Sequence, residues 1–169
     1  GRGVSVIHCP VANAKLGVGV AKVPDMLEAG LTVGLGTDGP ASNNTLDMLE
    51  SVKFACLLQK AVRRDPTVLT ARQALEMATI GGARALGLDG QVGSLTPGKK
   101  ADFFLLDLRK ASTMPLHDVY AAIVYSARSG AIESVFVNGK PIVRDRKPLK
   151  LDIHEVFDRV EDMLSELTG

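Results

Sequence analysis

Apolar positions recur along this chain in three ways, and each pattern predicts a different kind of element. Short unbroken apolar runs at residues 3–9 and 31–35, each bounded by Pro or Gly, predict two strands buried on both faces. Pro10 lacks an amide donor and should end the first strand. Residues 11–20, rich in Gly and Ala and carrying Asn13 and Lys15, read as a loop. Residues 24–29 read as a short helix entered through Pro24 and closed by Gly30. Strand, loop, helix, strand, helix is the order of a parallel sheet with right-handed crossovers.

Periodic apolar spacing takes over after the second run. A helix starting near Asn44 or Thr45, with Asp47 in its first turn, would place Leu46, Leu49, Val52, Cys56 and Gln59 on one face. Phe54, Leu57 and Leu58 widen that face, and Asp65-Pro66 ends it. Thr70-x-x-Gln73 is a capping-box pattern ahead of another helix, with Leu75 and Ala78 among its buried positions. Gly81-Gly82 weakens this helix, and close approach of a neighbour is a physical reason for two residues without side chains. Gly87 closes a further helical piece at 83–86.

The character changes near residue 90. The stretch from Gly93 to Gly98 is turn-rich, and 101–108 predicts a strand apolar on both faces. Residues 116–127 read as helical. Residues 134–137 and 140–143, joined by Asn138-Gly139, predict a hairpin with a type I′ turn, Pro141 placing its second strand at an edge. After Asp152-x-x-Glu155, the residues Ile153, Val156, Phe157, Val160, Met163, Leu164 and Leu167 trace an amphipathic helix.

Composition narrows the picture without redirecting it. The 169 residues can bury a real core, with 46% hydrophobic and 23% charged content. A formal net charge of +1 favours neither nucleic acid nor an anionic membrane, and aromatic residues at 4% offer no base-stacking platform. Cys9 and Cys56 stand far apart in no paired spacing, which suits a reducing cytoplasm. No apolar run reaches the roughly 18 residues of a membrane span. The chain opens at once on a strand, with no initiator Met, so a cut through a larger fold is the expectation.

The chemistry concentrates in Leu35-Gly36-Thr37-Asp38-Gly39-Pro40-Ala41-Ser42-Asn43-Asn44. A carboxylate delivered at the end of a buried strand, just ahead of a helix, is how (β/α) barrels present catalytic side chains. Spacing alone leaves Asp38 equally well as a helix cap. Ser42 and Asn43 follow at a helix start, where they can cap or can meet a polar substrate. Asn13 can orient the loop after the first strand. Among three histidines, His154 and His117 read as surface or turn residues. His8, at a strand end, suits a hydrogen bond to the surroundings of a ligand rather than ligation.

Five motifs in order carry a resemblance. They are His8-Cys9-Pro10-Val11-Ala12-Asn13-Ala14-Lys15-Leu16, the Asp38 stretch, Ala78-Thr79-Ile80-Gly81-Gly82-Ala83-Arg84-Ala85-Leu86-Gly87, Gly93-Ser94-Leu95-Thr96-Pro97-Gly98-Lys99-Lys100-Ala101-Asp102 and Val137-Asn138-Gly139-Lys140. Together they resemble the amidohydrolase superfamily, in its branch of aminohydrolases and chlorohydrolases, nearest to the 5-methylthioadenosine/S-adenosylhomocysteine deaminases.

That resemblance implies an α/β fold: the last two strands and helices of a (β/α)8 barrel over residues 1–90. Part of a small β domain with an inserted helix would occupy 91–150, and a C-terminal amphipathic helix 151–169. A whole barrel takes about 250 residues, so the first six strands would lie elsewhere. The resemblance also implies one divalent metal, zinc in most members with iron as an alternative, held by histidines that this chain does not contain. Asp38 would be its last ligand and would carry the proton from attacking water to a leaving amine. Ser42, Asn43 and Asn13 would face the substrate, with His8 behind them. Where family members often have Ser before the equivalent of Asn13, this chain has Ala12, which removes any side-chain contact there. The expected reaction is deamination of an amino-purine nucleoside. Dechlorination, a guanine-type substrate or a non-catalytic assembly role are the alternatives. The expected partners are a small-molecule substrate and either a second copy or the missing N-terminal part, with neither nucleic acid nor membrane.

Overall fold

The structure is a computed structural model and describes residues 3–168; the first two residues and the last, at the ends of the expected segments, lie outside it. Its elements divide between two sheets. Strands β1 (Val6–His8) and β2 (Val33–Leu35) pair in parallel, Val6 opposite Val33 and His8 opposite Leu35. A second sheet, antiparallel, runs in the order β3 (Phe103–Leu106), β4 (Ile132–Val137), β5 (Lys140–Arg144), β6 (Lys147–Pro148). The fold is therefore α/β, as expected.

The connection from β1 to β2 is more helical than the sequence suggests. Residues expected as loop form α1 (Pro10–Lys15), followed by α2 (Val23–Glu28). Pro10 both ends the strand and starts the helix. Its fixed φ suits a first turn, where the missing amide hydrogen has no intrahelical acceptor to lose.

After β2, a single helix beginning near Asn44 was the expectation, and the structure corrects it. A four-residue helix, α3 (Pro40–Asn43), comes first. Asn44 and Leu46 then adopt positive φ of 73° and 50°, which no α-helix can continue through. The long helix α4 (Met48–Arg63) starts only beyond them. Asp47 is its N-cap rather than a first-turn residue, its carboxylate accepting from the amides of Leu49 and Glu50. Leu49, Val52, Cys56 and Gln59 are buried as the pattern predicts. Leu46 and Leu57 are exposed, and Ala55 fills the core in their place.

The capping box at Thr70 forms with both of its reciprocal hydrogen bonds, opening α5 (Ala71–Glu76). Gly81-Gly82 does not break this helix. It continues through a π-helical turn, Met77–Gly81, into α6 (Gly82–Ala85). Close packing is the reason for the glycines. A Cβ on Gly81 would lie 2.6 Å from the Val33 carbonyl oxygen, and a Cβ on Gly34 would lie 3.0 Å from Gly82 Cα. Ala74 and Met77 are the fully buried positions of this face, with Leu75 and Ala78 packed beside them. The core joins Val33, Leu35, Val52, Cys56, Leu69, Met77 and Val124, so the region after residue 116 packs onto the first half of the chain.

In the second sheet the expected strand at 101–108 shortens to β3, and Phe103 stacks on Phe136 with ring centroids 4.6 Å apart. Asn138 and Gly139 make the hairpin turn with φ of 50° and 73°, as a type I′ turn requires. The strand carrying Pro141 is not an edge, because β6 pairs with Val143 and Arg144. Pro141 escapes conflict by lying outside that pairing. The helix expected at 116–127 is a single turn, α7 (Val119–Ala121), followed by a π-helical turn, Ala122–Ser126. The last helix, α8 (Ile153–Thr168), forms as predicted, but its apolar stripe is exposed from Ile153 through Phe157 to Met163. Among the described residues no helix is long and apolar enough to cross a membrane.

Candidate functional site

Asp38 follows β2 by three residues, on a loop that α3 folds back on itself. Its φ of +63° is rare for a residue with a side chain. The carboxylate is exposed, yet it is held. The Gly39 amide donates to Oδ1 at 2.8 Å, and the Ser42 hydroxyl, which donates to the Gly39 carbonyl oxygen at 3.0 Å, stands close enough to stabilise the same carboxylate. Those two contacts, the Ser42 hydroxyl first, keep the Asp38 carboxyl below its usual range. The group is therefore an anion near neutral pH, the form that can ligate a cation or accept a proton.

Neighbouring residues fix the loop rather than extend the charge. Asn43 is buried, its Nδ2 donating to the Thr37 carbonyl oxygen at 2.7 Å and its Oδ1 accepting from Thr45. Its amide is thus spent on the backbone beside Asp38. The expected substrate-facing group therefore divides: Ser42 meets the carboxylate, Asn43 supports the strand end, and Asn13 lies half-buried on α1.

His8 is almost wholly buried, 2% exposed, and neither ring nitrogen has a hydrogen-bond partner among the described residues. The hydrogen bond expected of it is not made within this chain. Alternation along β1 puts Ile7 and Cys9 against Gly34 and Gly36, and His8 with Val6 on the other face, toward the core. Burial pushes the His8 imidazole below its ordinary value of 6.5. Cys9 lies half-buried beside Asp38; burial first, then the Asp38 charge, raises its thiol, so it stays protonated.

One residue escaped sequence reasoning. Lys15, the last residue of α1, donates from Nζ to the Ala41 carbonyl oxygen at 2.9 Å and to Asn44 Oδ1. It stands in the same motif as Asn13, but nothing in a one-dimensional pattern says that α1 ends beside α3. Among the described residues no group of three or more His, Cys, Asp or Glu side chains could hold a metal ion. The donor chemistry fits one carboxylate ligand, not a complete metal centre.

Comparison with known proteins follows the same lines. The model of the Amidohydrolase family matches residues 1–142. The chain is 49% identical over 157 residues to a 5-methylthioadenosine/S-adenosylhomocysteine deaminase of Moorella thermoacetica, covering 93% of this chain and 37% of that protein. A crystal structure of an adenosine deaminase from Xanthomonas campestris with bound zinc superposes with a TM-score of 0.95 at 39% identity. That match covers 98% of this chain and 38% of the other. An atrazine chlorohydrolase from Arthrobacter aurescens, complexed with zinc, superposes with a TM-score of 0.87 at 30% identity, over 95% of this chain and 36% of the other. The chain thus spans a little over a third of the length of the relatives it matches.

Proposed function

The chain belongs to the amidohydrolase family, and from that premise we propose that it is the C-terminal part of a metal-dependent hydrolase acting on non-peptide C–N bonds. The reaction is hydrolytic deamination of an amino-purine nucleoside such as 5-methylthioadenosine or S-adenosylhomocysteine. In this reading β1 and β2 are the last two strands of a (β/α)8 barrel. Residues 1–90 are barrel, 91–150 part of a small β domain, and 151–169 the terminal helix. The observation that carries it is Asp38: an ionised, exposed carboxylate held at a strand end by Ser42 and the Gly39 amide. The deaminase and zinc-bound relatives support the reaction and the metal.

One divalent metal, zinc with iron as an alternative, supplies a lowered pKa for the attacking water. Among the described residues Asp38 is the one that would ligate it. Its carboxylate accepts the proton from the attacking water and returns it to the departing amine. Ser42 and the Gly39 amide keep the carboxylate aimed, and Asn43 fixes the strand end from which it projects. Asn13, half-buried on α1, is the further residue assigned to the substrate in this reading.

A chlorohydrolase reading keeps Asp38 in the same role and changes only the leaving group; the likeness to the triazine enzyme favours it second. The exposed stripe of α8 supports association with a second copy or with the remaining barrel. The setting is cytoplasmic, in keeping with two free thiols. Ammonia release from 5-methylthioadenosine tests the reading. The full-length polypeptide with zinc should turn over, and this chain alone, with or without zinc, should not. Turnover by the isolated chain, or none by the full-length protein, would overturn it.

A further inference from the structure

The loop that carries Asp38 is strained, and most of what holds it comes from the loop itself. Asp38, Asn44 and Leu46 all adopt positive φ, at 63°, 73° and 50°, conformations that side-chain-bearing residues seldom occupy. Such a loop persists only where its surroundings over-determine it. Thr37, Gly39, Ser42, Asn43 and Thr45 supply hydrogen bonds from within the segment or just past it. Lys15 supplies two from 26 and 29 residues away.

The two acceptors that Lys15 meets are telling. Helix α3 has only four residues, so its carbonyl oxygens lack the amides that a longer helix would offer them. The Lys15 ammonium takes one of these, Ala41 O, and with its remaining hydrogens reaches the side chain of Asn44, the residue at which α3 stops in a positive-φ conformation. A single cation thus fastens the end of α3, and with it the turn that presents Asp38, to the end of α1. The backbone approach of β1 to β2 completes the frame, the Gly36 amide donating to the His8 carbonyl oxygen at 3.0 Å.

We propose that Lys15 is a positioning residue for the metal ligand Asp38, acting through the backbone of α3 rather than through its charge. It forms no ion pair with Asp38, and the groups that set the Asp38 carboxyl are Ser42 and Gly39. The proposal rests on the reading of Asp38 as a ligand. Groups hydrogen-bonded directly to metal ligands typically contribute about 10- to 100-fold in metal affinity when removed, and Lys15, one step further back, belongs at the lower end of that range.

The test is zinc retention against a competing chelator, in the full-length zinc-loaded polypeptide, with circular dichroism to confirm folding. Lys15→Met should hold zinc about tenfold less tightly, while Lys15→Arg, which keeps the charge and the donors, should recover most of the loss. Asn44→Gly keeps the Ala41 contact, tolerates the positive φ and removes one acceptor, so it should fall between. Wild-type retention in Lys15→Met, alongside lost zinc in Asp38→Asn, would overturn the proposal and leave the ligand reading intact. Wild-type retention in Asp38→Asn would overturn both. Should Lys15→Met fail to fold, Asn44→Gly decides: weakened retention supports the clamp and unchanged retention refutes it.

Discussion

Gly81 and Gly82 are adjacent, both helical in φ and ψ, and both would gain from alanine if helix propensity alone mattered, by roughly 0.5–1 kcal/mol each. The packing separates them. A Cβ on Gly81 would meet the Val33 carbonyl oxygen at 2.6 Å and the Glu76 carbonyl oxygen at 3.0 Å, both backbone atoms that cannot swing aside. A Cβ on Gly82 would meet nothing nearer than the Met77 carbonyl oxygen at 3.7 Å, an ordinary contact. Overpacking of this kind costs about 1–3 kcal/mol, so Gly81→Ala should lose roughly 1–2 kcal/mol net while Gly82→Ala gains slightly. Urea denaturation reads the difference. With a dependence of about 1–3 kcal/mol per molar, the two midpoints should lie roughly 1 M apart, Gly82→Ala the higher. Equal midpoints, or a more stable Gly81→Ala, would mean that helix and strand do not approach as closely as the glycines require.

Two further outcomes follow from the same scaffold. Thr70→Ala removes the hydroxyl half of the capping box at α5, leaving the Gln73 side chain on the residue-70 amide, and should lower stability by about 1 kcal/mol, which Thr70→Ser should largely restore in the same urea titration. Burial holds the His8 imidazole below 6.5, so the unfolded chain binds the proton more readily than the folded one. The stability contributed by His8 should be intact above about pH 6.5 and be lost as pH falls through its folded value. Urea midpoints measured from pH 7.5 to 5 should therefore decline, and the decline should be shallower in His8→Leu; an identical slope in both proteins would exclude His8 as the group responsible.

Much of the architecture was legible because local chemistry and fold agree. The Asn138-Gly139 hairpin, the Thr70 capping box and the paired apolar runs of β1 and β2 each carry a signal that tertiary contacts reinforce. Gly81-Gly82 was readable as close packing, although its partner, Val33, was not. What escaped was set by distant partners. Residues 11–15 are helical because Pro10 starts a turn and Ala12 packs into the core, facts about neighbours rather than propensity. The delay of α4 to Met48 depends on a loop with three positive φ values, which side-chain-bearing residues do not advertise. The site shows the same division. Asp38 stood out at a strand end, whereas the contacts of Ser42 and Asn43 depend on the positive-φ turn that folds α3 back toward it, and the reach of Lys15 exists only once α1 and α3 are side by side.

The zinc content of the full-length Asp38→Asn protein tests the role of Asp38 most directly. The substitution keeps the size of an exposed side chain and removes its charge, so folding should be unaffected. Zinc bound per chain after dialysis should fall well below that of the wild type, with ammonia release from 5-methylthioadenosine abolished. A full complement of zinc together with undiminished ammonia release would contradict the assignment of Asp38 as ligand and proton carrier.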